Sequence, residues 1–253
     1  MPPLRHAFVF AAGLGTRLRP YTLTVPKPML DVLGRPLVEH ALCGLARLGV
    51  RHATLNTAYL ADAFEGLPGR ARAYGLDLAL SRQPEPLEHG GDLAFATALW
   101  ERLGPDETFL ALNGDTLYDL DADALAEAAG ALSAEAPLML LTFQSDANPL
   151  VVGGGRLLGI RGTRYAEGAE DGRADDVGLK LVHASVRAFL PPPGEVLSFH
   201  GEHGLVGRIA AAGRAVLARP APVRARVEIG TVADYEARGA NAELRALVGR
   251  LCP

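Results

Sequence analysis

Residues 6–11 read HAFVFA, an uninterrupted apolar run rich in β-branched and aromatic side chains, and this pattern predicts a buried strand. The later segment RPLVEHALCGLARLG places apolar residues at 37, 38, 41, 42, 45 and 48. That helical period, with Pro36 at its start and Gly49 as a stop, predicts an amphipathic helix. Then come HATLN, a short helical pattern at LADAFEGL, the strand-like LDLAL, a helix over LAFATALWERLG and the run TFLALNGD. Strand and helix patterns alternate throughout, which implies an α/β fold with a mostly parallel sheet and helices on both faces.

After Pro137 the pattern loosens into PLMLLTFQ, a glycine-rich turn at 153–155 and the hydrophilic RYAEGAEDGRADD, read as a surface loop over 164–176. VGLKLVHASV predicts a strand and HGLVGRIAAAG a short helix. AVLARPAPVRARVEIG predicts two strands divided by Pro220 and Pro222. Thr231 with Asp234 three residues on resembles a capping box opening a helix through about Leu251. No repeat interrupts the chain, so a single domain over 1–253 is expected.

A chain of 253 residues with 49% hydrophobic residues is long enough to bury a sizeable core. A net charge of −4 provides no global basic field for nucleic acid. No run of about 18 apolar residues suggests a membrane span, and nothing before Arg5 reads as a leader. Cys43 and Cys252, far apart in sequence, fit neither a disulfide framework nor a metal knuckle, which points to a reducing cytoplasm. Of 25 basic residues only Lys27 and Lys180 are lysines. A lysine kept in so arginine-rich a chain stands where a compact ammonium serves and a planar guanidinium does not, or is there by chance. For Lys27, held between Pro26 and Pro28, the functional reading is favoured.

The stretch AAGLGTRLRPYTLTVPKPM, residues 11–29, contains no acidic residue. A dinucleotide fingerprint needs a third glycine where this chain has Leu18, and a Walker loop needs Gly-Lys-Ser or Gly-Lys-Thr. What remains is a strand end feeding a loop of small residues, Ala11, Ala12, Gly13 and Gly15, whose backbone approaches an anion or a base closely. Arg17 and Arg19 add charge there, and Lys27 returns to the same crevice. Asn113-Gly114-Asp115 ends a second strand and delivers a carboxylate to that edge, suited either to a hard cation or to an Asx turn. Gly90 and Gly91 in EPLEHGGD form a turn or bring backbone against a planar base. Glu228 in VEIGT completes a two-carboxylate site or is an ordinary strand-end acid. Asp119, Asp121 and Asp123 lack the glycine and distal glutamate of a calcium loop and read as a helix cap and first-turn acids. His200 and His203 lack a third ligand, which gives zinc little support.

Residues 13–28 match G-x-G-T-R-L-x-P-x-T-x-x-x-P-K-P and so resemble the signature of the sugar-1-phosphate nucleotidylyltransferases. PLEHGG resembles that family's base-recognition loop, NGD its metal-binding strand end and EIGT its Asp-x-Gly-Thr. The likeness is firm to about residue 116 and patchy beyond, and is nearest to the short single-domain members that activate muramic acid, mannose or related sugars. It implies a Rossmann-like three-layer sandwich, with 1–116 as the nucleotide-binding half and 117–253 as the sugar-binding half. Ala11, Ala12, Gly13, Gly15, Thr16, Arg17 and Asn113 would hold the nucleotide and Gly90 and Gly91 would line the base. Arg17 would stabilise the departing pyrophosphate, Lys27 would grip the reacting phosphates, and Asp115 with Glu228 would hold Mg²⁺. The partners implied are a nucleoside triphosphate and a sugar 1-phosphate.

Two departures stand out. Glu228 replaces the usual aspartate, and no Glu-Lys-Pro motif precedes VGLKLVHASV, leaving Gly178 and Lys180, or Arg161 or Arg164, as sugar-side candidates. Two rival readings are a phosphorylated alcohol such as phosphocholine as acceptor, and a non-catalytic nucleotide or nucleotide-sugar sensor. The intact Arg17, Lys27 and Asp115 tell against the sensor.

Overall fold

The computed structural model describes residues 4–144, 147 and 149–252; residues 1–3, part of the segment read as carrying no leader, lie outside the described residues. The chain runs through β1 (His6–Phe10), a ribbon of β2 (Asp31–Val32) and β3 (Arg35–Pro36), α1 (Leu37–Arg47), β4 (His52–Thr57), α2 (Leu67–Arg72), β5 (Asp77–Arg82), α3 (Glu88–Phe95), α4 (Thr97–Trp100) and β6 (Thr108–Asn113). It continues with β7 (Thr116–Leu120), α5 (Ala122–Ala129), β8 (Leu138–Phe143), β9 (Leu150–Gly153), β10 (Arg156–Ile160), β11 (Thr163–Arg164) and β12 (Gly172–His183). Last come α6 (Leu205–Ala211), β13 (Val216–Pro220), β14 (Val223–Glu228), α7 (Val232–Ala237) and α8 (Ala242–Leu251).

A ten-stranded sheet has the order β11-β10-β13-β8-β12-β6-β1-β4-β5, with β9 pairing β10 and β12. Strands β5, β4, β1 and β6 are mutually parallel, as their helical crossovers require, and β13 is parallel to β8. The far half departs from the mostly parallel sheet that the sequence pattern implies: β12 runs antiparallel to β6, β8 and β9, and β10 antiparallel to β9, β11 and β13, so the sheet as a whole is mixed. Side chains along β1 separate with the strand period of two. Ala7 and Val9 enter a core with residues of α1, α2 and α5, while Phe8 and Phe10 enter a core with residues of α3, α4 and α6. This is the three-layer α/β arrangement expected from the alternating pattern.

Three boundaries differ from the sequence reading. β12 begins at Gly172, so the end of the 164–176 stretch is a strand rather than a loop, and its hydrophilic residues pair with β9 and the end of β8. The helix read over residues 93–104 is instead two short helices, α3 starting earlier at Glu88 and α4 ending at Trp100, with a break at Ala96. The capping box of Thr231 and Asp234 is present, but α7 stops at Ala237 and α8 restarts under its own cap, Asn241, whose side chain accepts from the Leu244 amide.

A third core cluster joins Leu37 and Ala41 of α1 to Leu117, Ile229, Tyr235, Leu247 and Leu251. It brings the last helix against the first and places Cys252 beside Cys43 in a disulfide with Cα atoms 5.6 Å apart. This corrects the reading of two unrelated thiols: 209 residues of sequence separate them, and only tertiary packing unites them. Arg35 Nη1 lies 3.9 Å from Cys43 Sγ and 3.3 Å from Cys252 Sγ. Since the bridge closes a very long loop, its reduction is expected to cost about 2–4 kcal/mol of stability, seen as a lower urea midpoint in dithiothreitol. A midpoint indifferent both to dithiothreitol and to Cys252→Ser would mean the two sulfurs are not joined.

Candidate active site

The carboxyl ends of β1 and β6 are tied together: the Gly114 amide donates to Phe10 O at 2.9 Å. From the end of β1 the loop 11–29 leaves through short 3₁₀ turns at 16–18, 21–23 and 27–29. Gly15 has φ +62°, and a Cβ there would lie 2.9 Å from Lys27 Cβ, so only glycine lets the start and end of the loop touch. Thr22 Oγ1 donates to Gly15 O at 2.9 Å and fixes that contact.

Lys27, 6% exposed, donates from Nζ to Asp115 Oδ2 at 2.8 Å. Two functional candidates 88 residues apart thus form one partly buried ion pair at the sheet edge. Glu228 faces Thr116 across the β14–β7 ribbon, which places it beside Asp115. Its carboxylate accepts from Arg226 Nη2 at 2.8 Å and lies 3.8 Å from Arg17 Nη2. Arg17 is otherwise largely exposed. Asp234, held by Thr231 and the Gly230 amide, completes this rim; its Thr231 hydrogen bond, above all, keeps its carboxyl below the usual range.

Arg17, Lys27, Asp115 and Gly230 line a pocket of about 590 Å³. Ala11, Ala12, Gly13, Gly15, Thr16, Arg17, Lys27, Asn113 and Asp115 all face it, so the loop and strand-end candidates converge as expected. The Oδ1 of Asn113 is buried without a hydrogen-bond partner among the described residues. Glu228 stands just outside, behind Gly230.

Gly90 and Gly91 do not line the pocket. Both amides donate to Leu197 O, at 2.9 and 3.2 Å, and a Cβ on either would collide with the 195–197 segment, at 2.7 Å from Leu197 and 2.4 Å from Glu195 O. Their smallness lets α3 pack on that segment and presents their neighbours Pro86, Glu88, His89 and Asp92 to the cavity instead. Gly178 and Lys180 also lie behind the wall. Gly178 packs against the Asn113 side-chain amide, and Lys180, 1% exposed, pairs with Asp176 at 3.1 Å under the Phe199 ring. Ser198, Phe199 and His200 form the pocket's remaining wall.

Electrostatically the pocket has two ends. The His89 ring stacks on Phe10 with centroids 4.0 Å apart; burial, reinforced by the Lys180 ammonium, drives its pKa down to about 3, so it is a neutral imidazole. Asp92 is a buried carboxylate whose pKa burial raises to about 6, against hydrogen bonds that include the Leu87 amide at 3.2 Å. Sequence reading passed over Asp92 because nothing in its local pattern separates it from a helix-surface acid. Its place one helical turn before the buried Ala96 was the available signal. Among the described residues no group of three or more His, Cys, Asp or Glu side chains is placed to hold a metal ion, and no helix is long and apolar enough to cross a membrane.

Comparison with known proteins accords with this geometry. Residues 6–150 match the family model described as nucleotidyl transferase. The chain is 42% identical over 127 residues to the N-acetylmuramate alpha-1-phosphate uridylyltransferase of Neisseria meningitidis, covering 50% of this chain and 53% of that protein. It is 37% identical over 115 residues to the mannose-1-phosphate guanylyltransferase of Mycobacterium tuberculosis, covering 46% and 31%. The matched stretch thus spans about half or less of these relatives. In three dimensions the fold resembles HddC from Yersinia pseudotuberculosis, with TM-score 0.70, 21% identity and 94% and 99% of the two chains covered. It also resembles the inositol-1-phosphate CTP transferase of T. maritima, with TM-score 0.69, 19% identity and 99% and 97% covered. With the family model covering the loop, the pocket's strand ends and more than half of its length, this chain belongs to the nucleotidyl transferase family.

Proposed function

We propose that the protein transfers a nucleotidyl group from a nucleoside triphosphate to a sugar 1-phosphate, releasing pyrophosphate. The observation that carries this is the partly buried Lys27–Asp115 pair, set at the mouth of an acid-free glycine loop and facing the same pocket. Relatives named for N-acetylmuramate 1-phosphate and mannose 1-phosphate support a sugar phosphate as acceptor. On this reading residues 1–116 serve chiefly the nucleotide and 117–253 the sugar, within one domain. The cytoplasm, where nucleoside triphosphates are abundant, is the compartment it calls for, and the Cys43–Cys252 bridge is the feature that pulls against it.

An oxygen of the sugar 1-phosphate bonds to the α-phosphorus as the bond from that phosphorus to the bridging oxygen of the β-phosphate breaks. Such in-line transfer is governed by positioning and charge neutralisation. The backbone from Gly13 to Arg17 cradles the triphosphate. Lys27, fixed by burial and by Asp115, keeps an ammonium beside the reacting phosphate, where a compact charge fits better than a guanidinium. Arg17, mostly exposed and held only loosely by Glu228, is free to turn onto the departing pyrophosphate. Asp115 and Glu228 are hard oxygen donors on adjacent strand ends, a set suited to Mg²⁺, which keeps several waters and shares its remaining positions with substrate phosphates. When bound there, Mg²⁺ neutralises the phosphate oxygens at the reacting centre.

A panel of nucleoside triphosphates against sugar 1-phosphates and phosphocholine, read as pyrophosphate release with Mg²⁺, is expected to give turnover with a sugar 1-phosphate. Release only with phosphocholine, or with no pair at all, would reject the proposal. Lys27→Met and Asp115→Asn are each expected to lower kcat/KM by at least ~100-fold, about 2.7 kcal/mol of transition-state stabilisation, with the circular dichroism of the folded protein retained. Near-normal rates in both would remove the pair from the reaction. For Glu228, retained rate in Glu228→Asp with loss in Glu228→Ala and a raised Mg²⁺ requirement is expected; indifference to alanine would exclude it as a ligand.

A further inference from the structure

The pocket is cationic where Lys27 and Arg17 stand, yet it contains a buried carboxylate, Asp92, 5% exposed. Asp92 is held by a chain of amides. The Ala11 amide donates to Asn56 Oδ1 at 2.7 Å, Asn56 Nδ2 donates to Gln83 Oε1 at 3.2 Å, and both side chains approach the Asp92 carboxylate. Gln83 is 3% exposed, and among the described residues its Nε2 makes no hydrogen bond of good geometry, its approach to Asp92 included. The Leu87 amide donates to Asp92 Oδ1 at 3.2 Å.

Position in the sheet fixes which part of a nucleotide meets this group. Asn56 belongs to β4 and Gln83 follows β5, whereas Asp115 follows β6, with β1 between β6 and β4. Asp92 therefore lies on the β4–β5 side of the opening loop, across from the Lys27–Asp115 pair. A carboxylate beside a triphosphate is repulsive, so phosphates belong at the Lys27 end and the nucleoside extends toward Asp92. What a buried carboxylate accepts is N–H or O–H donors.

The nucleobases differ in what they can offer it. Guanine presents two parallel donors, N1–H and the 2-amino group, matched to two carboxylate oxygens in a charge-assisted pair. Uracil and thymine present one N–H between two carbonyl oxygens. Adenine and cytosine present an amino group beside a ring-nitrogen lone pair, which a carboxylate repels. With its pKa near 6, Asp92 is ionised at neutral pH and above, and so is an acceptor.

We propose that Asp92 is a base-selecting residue of this pocket and that the nucleotide it selects carries guanine. The proposal rests on the nucleotidyl-transfer reading only for the class of ligand, and binding measurements separate the two. Equilibrium titrations of the intact protein with GTP, ITP, UTP, CTP and dTTP at a pH above 7 are expected to show GTP bound at least about tenfold more tightly than any other. ITP, which lacks the 2-amino group, tests the second donor without any mutation. Asp92→Asn is expected to weaken GTP by about tenfold or more while leaving UTP within about threefold, because an amide group offers a donor where guanine needs an acceptor.

Equal affinity for GTP and ITP, or tighter binding of UTP, dTTP or CTP, would overturn the proposal even if Asp92→Asn failed to fold. So would a uniform loss across all nucleotides in Asp92→Asn, which would assign the carboxylate to the ribose hydroxyls. Guanine-selective binding without pyrophosphate release from any sugar 1-phosphate sinks the transferase reading and leaves Asp92 in place. Turnover with UTP preferred over GTP does the reverse.

Discussion

The ion pair between Lys27 and Asp115 is the contact on which the site depends. Its two members come from the end of the opening loop and from the end of β6, and at 2.8 Å the partly exposed Asp115 carboxylate is the compensation for the lost hydration of the buried Lys27 ammonium. Removing Asp115 leaves that buried charge uncompensated, which is costlier than the pair is favourable. The loop is built to serve this pair. Gly15 sits against the Lys27 side chain in a left-handed turn, Thr22 pins the Gly15 carbonyl, and the Gly114 amide holds the Asp115 strand end to Phe10. An approaching phosphate can then take over the lysine's attention from Asp115 without the backbone moving, because the scaffold is already fixed by contacts that involve no ligand.

From that pair the charge pattern runs outward in two directions. Toward the rim, Arg17, Arg226 and Glu228 form a partly exposed cluster whose 3.8 Å Arg17–Glu228 contact is loose enough to exchange partners. Toward β4 and β5 the amide chain from Ala11 through Asn56 and Gln83 ends at a carboxylate. A ligand that satisfies both ends must carry phosphate at one and hydrogen-bond donors at the other. The neutral His89 and the Phe10 ring beneath it add no charge of their own to the wall between the two ends.

The first half of the fold was legible because its signals are local. A hydrophobic run, a glycine loop and an amphipathic helix each declare themselves within a dozen residues, and the convergence of residues 11–17, Lys27, Asn113 and Asp115 on one sheet edge follows from the parallel strands. What sequence could not supply was contact between distant segments. Gly90 and Gly91 are small because residues 195–197 press on them, and Cys43 meets Cys252 because α8 packs on α1. β12 extends into a hydrophilic stretch because β9 and β8 offer it an edge, whatever its own propensity. Lys180 illustrates the same limit, since its burial depends on Phe199, nineteen residues away along the chain.

The two lysines of this arginine-rich chain now share a physical explanation. Lys27 and Lys180 are 6% and 1% exposed, and each ammonium is paired with one aspartate, at 2.8 and 3.1 Å. A guanidinium spreads its donors over a plane and would need room for the whole fork, whereas an ammonium presents its charge at a point. Under the Phe199 ring, the Lys180 nitrogen lies 4.9 Å from the centroid and presents its charge to the ring face. At the pocket's edge of β6, Lys27 lies between Asp115 and the Gly15 turn. Lysine persists in this protein at the two places where burial fixes the geometry of a single charge, and only at Lys27 does that charge face the cavity.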